Sequence, residues 1–323
     1  SYFYFPPCAD RKGRNNIMSF EPLIQRIAQL ENPTVAGLDP QLSYLPSFLW
    51  EECRQRDGDT LKAAGRALYR FNKALIDAMY DVVPAIKPQA AYYEQYGWHG
   101  VKALVKTIAY AKEKGMYVIT DGKRNDIGTT MQAYTNGHLG QVQVGESAIE
   151  PFAADALTVN GYLGTDGITP LLTVCRERDK GIFVLVKTSN PSSGELQDLP
   201  MADGRPLYRV MGDLCETWGS GAIGKSGYSD VGAVVGATYP EQLAELRKAL
   251  PHTFFLVPGY GAQGGGAQGI KGAYDAQGGG VIVNSSRAIM CAYRNKPGYT
   301  EENFADAARE EALRMKADLL SVR

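Results

Sequence analysis

From residue 34 onward the chain alternates between two textures. Short apolar runs rich in β-branched and aromatic residues recur as TVAGLD (34–39), VPAIKPQ (83–89), YVITDGK (117–123), ALTVN (156–160), GIFVLVKT (181–188), VGAVVGA (231–237), FFLVPG (254–259) and GVIVNSS (280–286). Between most of them lie longer stretches with apolar positions at helical spacing, such as Leu61 to Tyr80, Val101 to Lys114 and Pro240 to Leu250, and Glu301 to Leu320 follows the last run. Strands that are almost continuously apolar and alternate with amphipathic helices predict a parallel sheet covered by helices. Eight strands with crossovers and a terminal helix predict a single-domain α/β fold, a closed (β/α)8 TIM barrel, over an open doubly wound sheet. The longest insertions, 40–59 and 190–206, follow the carboxyl ends of strands, where such barrels build their sites.

No linker or shift in composition divides residues 18–323. Residues 1–17, SYFYFPPCADRKGRNNI, carry no apolar run of signal-peptide length and read as an upstream extension or an expression scar. After them Leu23, Ile27 and Leu30 recur at helical spacing behind Pro22. Lys+Arg 34 against Asp+Glu 35 leaves a formal net charge of −1, which argues against a nucleic-acid or polybasic membrane partner. No apolar run is long enough to span a membrane. The cysteines, Cys8, Cys53, Cys175, Cys215 and Cys291, show no C-x-x-C spacing, and scattered thiols of this kind predict a cytoplasmic protein.

Two glycine-rich segments imitate nucleotide motifs. GSGAIGKS (219–226) has the letters of a phosphate-binding loop, but a helix is expected before it and a strand after it, the reverse of what that loop needs. GYGAQG (259–264) follows the seventh strand, not the first, so it suits a phosphate without a dinucleotide. Arg287, just past the eighth strand, is placed to complete such a phosphate site.

The segment TDGKRNDIGTT (120–130) ends the third strand and is the most informative. Strand alternation sets Asp121 and Lys123 on one side, and Asp126 follows in the loop. Three charges at this spacing arise by chance in about one chain in fifteen of ordinary composition, so a salt-bridged strand end is a competing explanation. Asp39 and Lys87, each closing an apolar run, tip the balance, because charges are rarely buried without partners. An ammonium set among carboxylates keeps its proton and suits an acid that delivers it to a carbanion. His99, His138 and His252 match no metal or catalytic spacing and read as surface or capping residues. No G-x-S-x-G elbow is present. Lys123 competes with any Mg²⁺ for the same carboxylates, so neither a metal nor another cofactor is expected.

The run DGKRNDIGTT resembles the D-x-K-x-x-D-I-x-x-T signature of the orotidine 5′-phosphate decarboxylase family. The likeness continues through GLDP (37–40), AIKPQ (85–89), TVNGYLGTDG (158–167), KTSNPSS (187–193), VGATYP (235–240) and VPGYGAQGG (257–265), over roughly residues 19 to 320. It is greatest to the longer bacterial, type 2, subfamily. The resemblance implies a cofactor-free decarboxylation of orotidine 5′-phosphate to uridine 5′-phosphate, the last step of de novo UMP biosynthesis. Lys123 would donate the proton to C6, Asp121 would lie beside the substrate carboxylate, and Lys87 would bridge Asp121 and the ribose. Asp39 would hold a ribose hydroxyl, Ser189 would read the pyrimidine, and Gln263 and Arg287 would clamp the phosphate. Asp126, with Thr130 nearby, would reach across a homodimer into the neighbouring site. Gly161 stands where the family pattern has proline. Two alternatives stay open at this point: a Mg²⁺-dependent keto-sugar-phosphate decarboxylase or hexulose-phosphate aldolase on a related barrel, and a non-catalytic nucleotide-binding paralogue.

Overall fold

The computed structural model describes residues 20–260 and 266–323. All eight expected strands form, at Thr34–Leu38, Ala85–Pro88, Tyr117–Arg124, Ala156–Val159, Gly181–Lys187, Val231–Val235, Phe255–Val257 and Val281–Ser285. They pair in parallel, each beside its neighbour in sequence, and the first pairs with the eighth at Thr34↔Val283 to close the barrel. The anticipated TIM barrel is the fold. Residues 1–17 lie outside the described residues.

Core packing explains the sequence texture. The strands are buried along nearly their whole length because their outer faces meet helices and their inner faces meet one another. Helix Leu61–Met79 shows the first kind of contact: Thr60 caps it by accepting from the Ala63 amide at 3.2 Å, and Leu68, Phe71, Leu75 and Met79 are buried on its inner stripe. Each such side chain is worth about 1.5–3 kcal/mol of burial. Inside the barrel, Val35, Ala85, Tyr117, Ile119, Ala156, Phe183, Leu256 and Ile282 pack together. Helix Glu21–Leu30 stoppers this interior at the amino ends of the strands, where the Phe20 ring sits 4.8 Å from that of Phe183 and 5.6 Å from that of Phe254.

That stopper also accounts for the GSGAIGKS segment. It follows helix Leu207–Gly219 and precedes the sixth strand, and the Ser226 amide and hydroxyl both donate to a Glu21 carboxylate oxygen, at 2.7 and 2.8 Å. The donors that a phosphate loop would offer its ligand tie the first helix to the base of the barrel.

The 40–59 insertion is folded, with a 3-10 turn at Leu42–Tyr44 and a helix at Ser47–Asp57. Tyr293 donates to the Tyr44 carbonyl at 3.1 Å, which holds the insertion over the end of the eighth strand. A hairpin, Val142–Val144 with Ser147–Ile149, projects after the third crossover helix and was not anticipated. His138 departs from its expected surface or capping place. It is buried and stacked at 4.6 Å on Phe152, because the helix Gly128–His138 turns its last residue inward. No helix of the described residues is long and apolar enough to cross a membrane.

Candidate active site

The carboxyl ends of the first three strands bring several charges together at the barrel mouth. Lys87, near the end of the second strand, is buried and places Nζ 2.6 Å from Asp121 Oδ2. Lys123 places its Nζ 2.6 Å from Asp121 Oδ1, and the Thr158 hydroxyl donates to that same oxygen at 2.8 Å. One carboxylate is therefore gripped on both oxygens by two ammonium groups. Burial alone would push the Asp121 carboxyl up, but the charges and hydrogen bonds of Lys87 and Lys123 outweigh it and hold Asp121 well below the usual carboxylate range. Burial works against the charge of Lys87 as well, yet Asp121 and Asp39 more than compensate and its pKa is raised.

Lys123 does not reach this position by simple strand alternation. Its φ is +48°, in the left-handed region, and pairing with the fourth strand slips between Thr120 and Arg124. A non-glycine residue held there costs about 1–3 kcal/mol, which the surroundings must offset. Thr158 does so in part, since its hydroxyl accepts from the Lys123 amide at 3.0 Å while donating to Asp121. The Lys123 side chain remains 44% exposed, open to the barrel mouth.

Asp39 follows the first strand beside this array. Burial raises its pKa, partly offset by Lys87 and by a hydrogen bond with Ser286. Its Oδ1 is buried without a hydrogen-bond partner among the described residues. Gly37 makes room for this arrangement: a Cβ there would lie 1.9 Å from Ser286 Oγ and 2.8 Å from Asn284 Oδ1.

Asp126 is not drawn into the array within one chain. Its Oδ1 accepts from the Ile127 amide at 2.8 Å, and it forms no ion pair with Lys123 among the described residues. Thr130 lies exposed on the helix that follows. Ser189 sits two residues past the fifth strand, half-buried, with its carbonyl accepting from Thr238 Oγ1 at 3.3 Å. Arg287 opens the short helix Arg287–Met290 just past the eighth strand, beside the first, its guanidinium carbon 5.9 Å from the Tyr44 ring centre. Here a cleft of about 510 Å³ is lined by Gly259, Tyr260, Asn284, Ser286 and Arg287. Gln263 lies outside the described residues.

Several residues with a part in this geometry were not singled out from the sequence. Thr158 sits in a recognised segment but carries no charge to draw notice. Asn284 and Ser286 flank Asp39, and Asn284 Nδ2 donates to Ser286 Oγ at 3.2 Å. Their signal was available in the polar residues N-S-S that end an apolar run. Gly161, the departure from the family pattern, has a packing reason: a Cβ there would lie 2.6 Å from Met211 Sδ and 3.0 Å from Val184 Cγ1.

Fold and site together define a single-domain (β/α)8 barrel with a lysine–aspartate–lysine centre at the carboxyl ends of its strands and an arginine-bearing cleft alongside. The profile of the orotidine 5′-phosphate decarboxylase / HUMPS family matches residues 63–298, and the chain belongs to that family. It is 46% identical over 289 residues to the orotidine 5′-phosphate decarboxylase of Rhodopirellula baltica, covering 88% of this chain and 93% of that protein. It is 43% identical over 282 residues to that of Caldicellulosiruptor saccharolyticus, covering 87% and 91%. Among solved structures, the OMP decarboxylase of Leishmania donovani superposes with a TM-score of 0.71 at 28% identity, covering 95% of this chain and 98% of that one. At 323 residues the chain fits the longer bacterial form.

Proposed function

We propose that the protein decarboxylates orotidine 5′-phosphate to uridine 5′-phosphate, the closing step of UMP biosynthesis, without metal or cofactor. The observation that carries the reading is the Asp121 carboxylate held between the ammonium groups of Lys87 and Lys123. The family and the named relatives supply the substrate.

In this mechanism the substrate carboxylate lies beside Asp121, and that like-charge contact is relieved as carbon dioxide departs. The C6–carboxylate bond breaks and its electron pair stays on C6. The Lys123 ammonium, already fixed by Asp121, stabilises the developing charge and then donates its proton to C6, which leaves a neutral amine for solvent to reprotonate. The unpartnered Asp39 Oδ1 is an acceptor suited to a ribose hydroxyl. Arg287 and Gln263 bind the phosphate, whose binding energy is available to close loops over the ring. Ser189 reads the pyrimidine.

The active form in this reading is a homodimer, with Asp126 and Thr130 serving the partner's site. Exposed Ile127, Tyr134, Tyr162 and Leu163 on the segments around Asp126 support it, since apolar groups so placed gain from being covered. A cytoplasmic location is supported by the free thiols Cys53, Cys175, Cys215 and Cys291, all buried.

The test is the ultraviolet absorbance of orotidine 5′-phosphate on mixing with the protein, with and without chelator, alongside Lys123→Ala. The expected result is turnover indifferent to chelator, and at least about 10²–10³-fold slower in the variant, the cost of removing a preorganised charge. No turnover by folded protein, or turnover that requires Mg²⁺, would reject this reading in favour of a metal-dependent sugar-phosphate reaction.

A further inference from the structure

The fifth strand ends in a lysine that the Asp121 array does not use. Lys187 is fully buried, yet it carries an ammonium whose Nζ lies 2.6 Å from Asp198 Oδ1. The ammonium also lies 4.7 Å from the ring centre of Tyr239 and 5.6 Å from that of Tyr208, so its surroundings favour a cation. A charge in such a place is sustained only by its partner. That partner comes from the loop that follows the same strand.

The next residue repeats the connection. The Thr188 amide donates to Gln197 Oε1 at 2.9 Å, and Gln197 Nε2 donates back to the Thr188 hydroxyl at 2.7 Å. Two successive residues at the strand end thus grip two successive residues of the loop, and 189–196 becomes a closed circuit with Ser189 just inside its neck. Neighbouring elements hold the neck in place. Gln242 Nε2 reaches the same Asp198 oxygen at 3.3 Å, and the Gly236 amide donates to the Lys187 carbonyl at 2.8 Å. A Cβ on Gly236 would lie 2.8 Å from that of Ser189, so Ser189 is pressed against the end of the sixth strand.

We propose that this double clasp, Lys187–Asp198 with Thr188–Gln197, sets Ser189 against the base of a bound nucleotide, which makes Lys187, Asp198 and Gln197 positioning residues for the base and not for the ribose phosphate. The inference rests on the nucleotide reading above. The clasp is asymmetric: the Asp198 side chain is 40% exposed and that of Lys187 only 1%. Opening it from the loop side strands a buried ammonium, which favours the closed neck. The phosphate end, at Arg287 past the eighth strand, shares none of these hydrogen bonds among the described residues.

The test is calorimetric titration of Asp198→Asn and Gln197→Ala with uridine 5′-monophosphate and, separately, with ribose 5-phosphate, each variant also melted thermally. The clasp predicts about tenfold weaker binding of the nucleotide, with ribose 5-phosphate changed less than about twofold. Equal weakening of both ligands, or of neither, overturns it, because a merely structural role would not separate them. Gln197→Ala keeps the test open should Asp198→Asn fail to fold. Wild-type protein that binds the nucleotide no better than ribose 5-phosphate would instead overturn the base-reading site, and the clasp with it.

Discussion

Thr158 holds the Asp121–Lys123 geometry from two directions, giving its hydroxyl proton to the carboxylate and accepting from the lysine amide. Thr158→Val keeps the shape of the side chain and removes both bonds. The Asp121 oxygen then loses a donor, and the left-handed backbone at Lys123 loses a restraint. Steady-state kinetics are expected to show kcat lowered by about 10–10²-fold with KM changed little, since small misplacements of a reacting group are costly while the phosphate end is untouched. An unchanged kcat would show that the ion pair alone sets the geometry. A second residue-level consequence concerns pH. Asp121 is held ionised far into acid, whereas burial raises Asp39, so on the proposed mechanism Asp39 is expected to set the enzyme's acid limb of kcat/KM. That limb is expected above the ordinary carboxylate value of 3.8, with activity lost as pH drops through it. Asp39→Asn is expected to flatten that limb in a pH–rate profile as well as lowering activity, and a limb unmoved by the substitution would assign it elsewhere.

At the scale of elements, Asp230 shows how strand ends at the other pole carry cost in place of chemistry. It precedes the sixth strand, its side chain almost wholly buried and paired with Arg176 at 3.2 Å, with Oδ1 unpartnered among the described residues. Burial pushes its carboxyl up to about 6, only partly offset by Arg176. The folded state therefore binds this proton more tightly than the unfolded chain does. No cost exists below about pH 4; it grows as pH rises through 6 and then stays level, at about 3 kcal/mol for a shift of this size. Asp230→Asn is expected to melt higher than wild type at pH 7.5 and to match it near pH 4, which thermal melts across pH will check. The strands were legible because burial on both faces leaves an unbroken apolar run. The hairpin at 142–149 was not, because VQVGESAI is exposed and alternates only weakly, although Gly145–Glu146 between two short runs is a turn signal. Helix Ser47–Asp57 escaped notice because only Leu49 and Cys53 of its residues are buried. The charges of the site were legible wherever they closed an apolar run. The handedness at Lys123 was not, since it depends on how the neighbouring strand registers, and Lys187 shared the signal that marked Lys87 but has its partner in a loop.

At the scale of the whole molecule one charged residue of the 120–130 segment stays outside the lysine–aspartate–lysine centre: Asp126, half-buried, accepts from the Ile127 amide and forms no ion pair with a lysine among the described residues. A site shared between two copies makes a sharp prediction because its two halves lie in different subunits. On the proposed roles, a dimer of Lys123→Ala subunits lacks the proton donor at every site, and a dimer of Asp126→Ala subunits lacks the reaching carboxylate at every site. When the two variants exchange subunits, a mixed dimer holds one site with both defects and one with neither. Equal mixing makes half of the dimers mixed, so about one quarter of all sites become native. Activity is expected to rise on mixing toward about that fraction of wild type, at the rate of subunit exchange measured with labelled protomers. If exchange proceeds and activity does not rise, Asp126 serves the Lys123 of its own chain, and the loop carrying it must then move inward to reach the array. The same experiment thus separates a site completed by a partner from one completed by motion.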